Sequence, residues 1–197
     1  MKLLHIDSSA LGGYSVSRQL TADIVTELQR ATPDLTIQYH DLAAQPLPHW
    51  APVADASDPA VVLGSQMLEE FLAADVVVIG APMYNFAISS QLKAWIDRIL
   101  VAGKTFQYTA NGPEGLAGSK RVIIASSRGG LYGKDTAGAA MDFQEPYLRA
   151  AFGFIGIGEL EFVRAEGLNI GAEQKAAALK SAQATIRSLA MPVAQVA

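Results

Sequence analysis

The chain of 197 residues contains no cysteine. Disulfides, thiolate metal sites and cysteine nucleophiles are excluded together. This composition suits a reducing compartment. The opening Met1-Lys2-Leu3-Leu4-His5-Ile6-Asp7 has too short an apolar run for a secretory signal, so a cytoplasmic location is expected. Long hydrophobic runs are also missing. Runs such as Val76 to Ala81, which includes one glycine, have the length of a strand. A bilayer span needs roughly 18–20 apolar residues, so no membrane association is expected. Fifteen basic against 19 acidic residues give a net charge of −4 with no basic block, which argues against nucleic acid as a partner. The three histidines, His5, His40 and His49, lie apart without ligand spacing. No metal is expected, and His5 reads as a packed or hydrogen-bonded residue inside a strand. Neither GxxxxGK[ST], GxGxxG nor GxSxG occurs, so the sequence lacks the signatures of a P-loop, a dinucleotide site and a nucleophile elbow.

What is present is a regular alternation of strand and helix patterns. Lys2 to Ile6 reads as a buried strand stopping at Asp7-Ser8-Ser9. A helix starting at Ser15 or Ser17 places Leu20, Ile24, Val25 and Leu28 on one face and ends at Pro33. Leu35, Ile37 and Tyr39 alternate with polar residues as a second strand. Asp41 to Pro59 is irregular, with four prolines and Trp50, and is long enough to suggest a functional loop. A helix over 61–73 precedes the most apolar strand, Val76 to Gly80. The next helix, about Ser89 to Val101, faces the core with Leu92, Trp95, Ile96 and Ile99, and Ser89 or Ser90 supplies its cap. Lys104 to Ala117 reads as a long loop or hairpin turning at Asn111-Gly112-Pro113. Lys120 to Ala125 is a fourth strand, followed by a helix over about 139–153. Leu160, Phe162 and Val163 make a fifth strand, and the last helix covers about 171–190.

Five such units with continuously apolar strands imply one α/β domain over 1–197, a five-stranded parallel sheet with helices on both faces and strand order 2-1-3-4-5. The polar and glycine-rich segments follow strands 1, 3 and 4, and so gather where open α/β sheets bind ligands. In the first, Ser9, Ser15, Val16 and Ser17 surround a helix N-terminus, whose free N–H groups favour a phosphate. The plain alternative is a serine cap. In the second, Met83, Tyr84, Asn85 and Phe86 offer polarizable and flat surface plus one amide, or simply pack under the sheet edge. In the third, Ser127-Arg128-Gly129-Gly130 lets backbone approach a ligand closely, or is an ordinary turn with Arg128 as a surface charge. Asp97 and Arg98 read as helix-surface or interface groups. No catalytic acid or base stands out.

These segments resemble the FMN-dependent NAD(P)H azoreductases, which also reduce quinones. The likeness covers Ala81-Pro82-Met83-Tyr84-Asn85-Phe86, continues through Ile88 to Lys93, and resumes at Ala102-Gly103, Thr105-Phe106, Tyr108-Thr109 and Asn111-Gly112-Pro113-Glu114-Gly115-Leu116. It returns at Ser127 to Gly130, Pro146-Tyr147-Leu148 and Gly153-Phe154-Ile155-Gly156-Ile157. The resemblance implies a flavodoxin-like fold and one FMN per subunit. Ser9 and Ser15-Val16-Ser17 would hold the phosphate, Met83 to Phe86 would line the isoalloxazine ring, and Ser127 to Gly130 would meet its polar edge. It also implies a homodimer with shared active sites, and Phe106 and Tyr108 near the substrate. Phe152 or Phe154 would form a further aromatic wall, the choice staying open. With FMN carrying the hydride, no catalytic side chain is assigned. NADH or NADPH would be the reductant and quinones or azo dyes the acceptors. Arg18, Arg128 and Lys134 are the cations that bear on the choice of nicotinamide. The stretch from Trp50 to Leu63 does not match and would bear on substrate preference. A flavodoxin-type electron carrier, a flavin reductase releasing reduced FMN and a flavin-free binding module are the competing readings.

Overall fold

The computed structural model describes residues 1–189; the expected last residue of the final helix, Ala190, lies outside them. Five parallel strands form the sheet: β1 (Lys2–Asp7), β2 (Thr36–Asp41), β3 (Val76–Pro82), β6 (Arg121–Ser127) and β7 (Leu160–Ala165), in the order β2-β1-β3-β6-β7. A separate antiparallel hairpin, β4 (Phe106–Thr109) and β5 (Gly112–Gly115), lies between β3 and β6 in sequence. The expected topology is the one found, with that hairpin added. All five C-terminal strand ends share one edge because every pairing is parallel.

The continuous apolar strands follow from burial on both faces. Alternate residues Leu4, Ile6, Val77, Ile79, Val122 and Ile124 enter one core cluster. Their neighbours Leu3, Val76, Val78, Ile123 and Ala125 enter another. The first core is closed by helices α2 (Pro59–Ala73), α3 (Ser90–Ile99) and α4 (Gln144–Phe154). The second is closed by α1 (Val16–Ala31) and α5 (Ala172–Leu189). The expected stripes are the buried ones: Leu20, Ile24, Val25 and Leu28 on α1, and Leu92, Trp95, Ile96 and Ile99 on α3. Trp95 meets Phe71 of α2 edge-on at 5.9 Å between ring centroids.

Three boundaries differ from expectation for identifiable reasons. Ser126 and Ser127 belong to β6, because they pair with both Ala81-Pro82 and Arg164-Ala165. Residues 139–141 form a 3₁₀ turn, and α4 starts only at Gln144, where Asp142 Oδ1 accepts the N–H groups of Gln144 and Glu145. The hairpin turns at Ala110-Asn111, with Gly112 at φ +109° and Pro113 already in the second strand. Gly115 lets it dock: a Cβ there would lie 2.0 Å from the Gly156 backbone nitrogen.

Candidate active site

The edge at the C-terminal strand ends carries a groove of about 250 Å³, open to solvent. Ser9, Ser15, Val16, Met83, Tyr84, Ser127, Arg128 and Gly129 line it; Ser17, Asn85, Phe86 and Gly130 sit on the same loops without lining it. The three expected loops are thus brought together.

The first loop leaves β1 at Ser8, whose hydroxyl donates to Gly80 O at 2.7 Å. Ser9 Oγ pairs with the Tyr84 hydroxyl at 3.1 Å, and that phenol oxygen also accepts the Ala10 N–H at 3.1 Å. A 3₁₀ turn over Gly12–Tyr14 then delivers Ser15, which caps α1 by accepting the Arg18 N–H and pairs with the Ser17 hydroxyl at 3.0 Å. The N–H groups of Val16 and Ser17 have no acceptor among the described residues. They form, with the serine hydroxyls, a set of neutral donors at a helix N-terminus suited to an anion.

Arg18 contributes from underneath. It donates to Ser9 O at 2.8 Å and grips both Asp41 oxygens, at 2.5 and 2.7 Å. The hydrogen bond from Arg18 holds the Asp41 carboxyl below its ordinary value. The same bond raises the guanidinium, against the opposing effect of its burial. Burial, and then the nearby Asp7 carboxylate, push the Tyr39 phenol up. Asp7 itself accepts from Thr21 at 2.8 Å and Tyr39 at 3.2 Å. Gly80 makes room for it, since a Cβ there would sit 2.7 Å from Asp7 Oδ1.

The second loop is stitched to the third by the Met83 N–H donating to Ser127 O at 2.9 Å. Tyr84 and Ala87 exchange backbone hydrogen bonds in both directions, with Asn85 at φ +47° and Phe86 at φ +74° between them. Two left-handed central residues define a type I′ turn. Asparagine suits the first position; phenylalanine at the second is strained. Phe86 meets Tyr132 edge-on at 6.2 Å.

In the third loop the carbonyls of Arg128, Gly129 and Gly130 all face the segment after β7. Leu168, Asn169 and Gly167 donate to the carbonyls of Arg128, Gly129 and Gly130, at 3.1, 3.0 and 2.8 Å. The N–H groups of Gly129 and Gly130 have no acceptor among the described residues. Arg128 is not a surface charge: it is 1% exposed, and its guanidinium is spent on groups behind the loop.

Leu168, Asn169 and Lys175, which also line the groove, are missing from the sequence-based set. They follow β7, the fifth strand, whose C-terminal end lies at the same edge. The topological argument applied to that strand would have found the first two; Lys175 reaches the groove from the first turn of α5.

The expected substrate aromatics do not line the groove of their own chain. Phe152 is 1% exposed and belongs to the core, so it presents no face to a ligand. Phe106 is also packed, 9% exposed, against Phe154 at 4.7 Å and Tyr108 at 5.6 Å. Tyr108 is 74% exposed. The Trp50 segment is likewise elsewhere. With Gly64, Leu68, Asp97, Arg98 and Val101 it lines a separate depression of about 520 Å³. That depression is larger than the groove but is not flanked by the converging loops. Asp97 pairs at the surface with Lys93, whereas Arg98 is buried and donates to Pro48 O and Ala60 O at 3.1 and 3.2 Å. Among the described residues no group of histidines and carboxylates could hold a metal, and no helix is long and apolar enough to cross a membrane.

Residues 1–190 match the model of a family described by its flavodoxin-like fold. An FMN-dependent NADH:quinone oxidoreductase of Methylocella silvestris is 60% identical, over 92% of this chain and 95% of the relative. FMN-dependent NADH:quinone oxidoreductase 2 of Bradyrhizobium diazoefficiens is 57% identical, over 96% and 98%. Among solved structures, an azoreductase from Bacillus anthracis superposes with a TM-score of 0.88 at 27% identity, covering 96% of this chain and 98% of that one. An FMN-dependent NADH-azoreductase from the same species, in complex with FMN, gives 0.85 at 25%, covering 97% and 100%. The chain belongs to the flavodoxin-like family of FMN-dependent azoreductases and NADH:quinone oxidoreductases.

Proposed function

We propose that this protein is an FMN-dependent NADH:quinone oxidoreductase that also reduces azo compounds, acting as one cytoplasmic FMN-binding domain with one FMN per subunit. The observation that carries the reading is the pairing of two donor sets at one groove: the Val16 N–H beside Ser9 and Ser15, with Ser17 next in the helix, and the Gly129 N–H beside Met83 and Tyr84, with Gly130 next in the loop. When bound, FMN supplies hydride chemistry in a ping-pong cycle, taking two electrons from the nicotinamide and giving them to a quinone, two turns cleaving an azo bond to aromatic amines. The residues fit such a group. Ser9, Ser15 and Ser17 bind its phosphate through neutral donors. Met83 and Tyr84 provide walls for a flat ring, with Asn85 and Phe86 next to them on the same loop. The glycine N–H groups favour negative charge at the ring's polar edge.

Of the three cations considered for a 2′-phosphate, Arg18 and Arg128 are committed to carboxylates, while Lys134, like the groove-lining Lys175, has no ion pair among the described residues. The NADH dependence named for the relatives favours NADH over NADPH. A homodimer accounts for the exposed Tyr108, Trp50 and Phe143, which the chain does not cover itself. In that assembly the partner's hairpin brings Tyr108, on its Phe106 and Phe154 base, to the substrate slot.

The test is the visible spectrum of protein reconstituted with FMN, followed anaerobically. Bleaching by NADH and recovery on adding a quinone supports the reading. Binding without bleaching by either nicotinamide points instead to an electron carrier, and failure to take up FMN removes the cofactor assignment.

A further inference from the structure

Arg128 is the most heavily bonded side chain near the groove, yet it makes no use of that position to meet a ligand. Its Nε donates to Ser126 Oγ and Gln144 Oε1, both at 3.0 Å. One terminal nitrogen meets Asp142 at 3.0 Å and Glu166 at 2.8 Å; the other meets Glu145 at 2.8 Å. Gln144 in turn donates to Ala81 O at 3.0 Å. One guanidinium therefore joins the ends of β3, β6 and β7 to the start of α4. Its own backbone begins the segment whose carbonyls face Gly167 to Asn169 and whose glycine N–H groups remain free.

We infer that Arg128 is a positioning residue that sets the redox potential of the bound flavin by fixing the direction of the Gly129 and Gly130 N–H groups. The inference rests on the FMN reading above. A loop with two glycines has no side-chain packing to hold it, and its peptide planes turn freely unless something on either side is fixed. The Gly167–Asn169 hydrogen bonds fix one side; Arg128, buried and five-fold bonded, fixes the other. Donors held in one direction stabilise added negative charge without reorganising, and so favour the reduced flavin over the oxidised one. A lysine keeps the charge but cannot bridge the same groups with its compact head.

The experiment measures the oxidised-FMN dissociation constant and the midpoint potential of bound FMN in the wild type, R128K and E166A. In R128K the preference for reduced over oxidised FMN falls about tenfold, a shift of about 30 mV to more negative potential for a two-electron couple. E166A makes the sign diagnostic. Removing a negative charge alone raises the potential, whereas loosening the guanidinium arm that Glu166 shares with Asp142 lowers it. A fall in both variants supports the inference. An unchanged potential in R128K overturns it, and if R128K does not fold, a rise in E166A does so. If the wild type itself takes up no FMN, the cofactor reading fails first and the inference falls with it.

Discussion

Phe86 offers a direct test of backbone strain at the site. Its φ of +74° belongs to the left-handed region, which costs a residue with a Cβ roughly 1–2 kcal/mol. Asn85, at φ +47°, is a residue type that tolerates this region; Phe86 is not. Truncation to alanine removes the ring and its edge-on contact with Tyr132, worth about 0.5–1.5 kcal/mol, and keeps the strain. Truncation to glycine removes the same ring and releases the strain. Against that, glycine costs about 0.5–1 kcal/mol more than alanine in chain entropy at an ordinary position. Strain relief exceeds this term, leaving Phe86→Gly about 1 kcal/mol more stable than Phe86→Ala. For a chain of this size that is about 2–4 °C in melting temperature. Thermal melts of the two apo variants read the difference, and urea titrations check it. At an unstrained position the order reverses. Alanine equal to or above glycine would refute the assignment of a strained type I′ turn.

Two further outcomes follow from the bonding of Arg98 and Asp41. Arg98→Ala leaves the Pro48 and Ala60 carbonyls without their donor and opens a void beneath the 48–60 segment, costing about 2–3 kcal/mol and speeding proteolytic cleavage within that segment. Asp41→Asn tests the pH dependence. The carboxyl is held below its ordinary 3.8 in the folded protein, so its contribution is complete above that value and is lost as pH falls through the lower folded value. The stability difference between wild type and Asp41→Asn is therefore constant near neutrality and shrinks below about pH 4; a difference that stays constant through acid would contradict the pairing with Arg18.

The sheet was legible because strand burial on both faces leaves continuous apolar runs such as Val76 to Gly80, and because the helix stripes repeat every three or four residues. The three loops were legible from topology, since each follows a strand ending at the same edge. The type I′ turn was not, because its usual signal is Asn-Gly and this chain has Asn85-Phe86. The burial of Arg98 and Arg128 was not legible either. Arginine is rarely buried unless paired, and the partners of Arg128 lie 14 to 38 residues away at Asp142, Glu145 and Glu166. The packing of Phe106 and Phe152 was hidden for the opposite reason: an aromatic in a hairpin or on a helix reads alike whether it faces a core or a ligand.

These arginines share a task. Loops at a sheet edge have too little apolar surface for burial to hold them, yet a ligand groove needs them fixed before the ligand arrives. Arg18 is bonded to Ser9 O beneath the first loop, Arg98 to Pro48 O beneath the Trp50 segment, and Arg128 to carboxylates behind the third. Each uses the planar, several-donor head that lysine lacks, joining segments distant in sequence. The arrangement also decides what the groove presents. The carboxylates consume the charge of Arg18 and Arg128, so the groove presents hydroxyls and backbone N–H groups, together with Lys175, which has no ion pair among the described residues. Such a groove holds an anion by directed neutral donors supplemented by one lysine. The same rigidity that organises the loops thus determines the chemistry they can recognise.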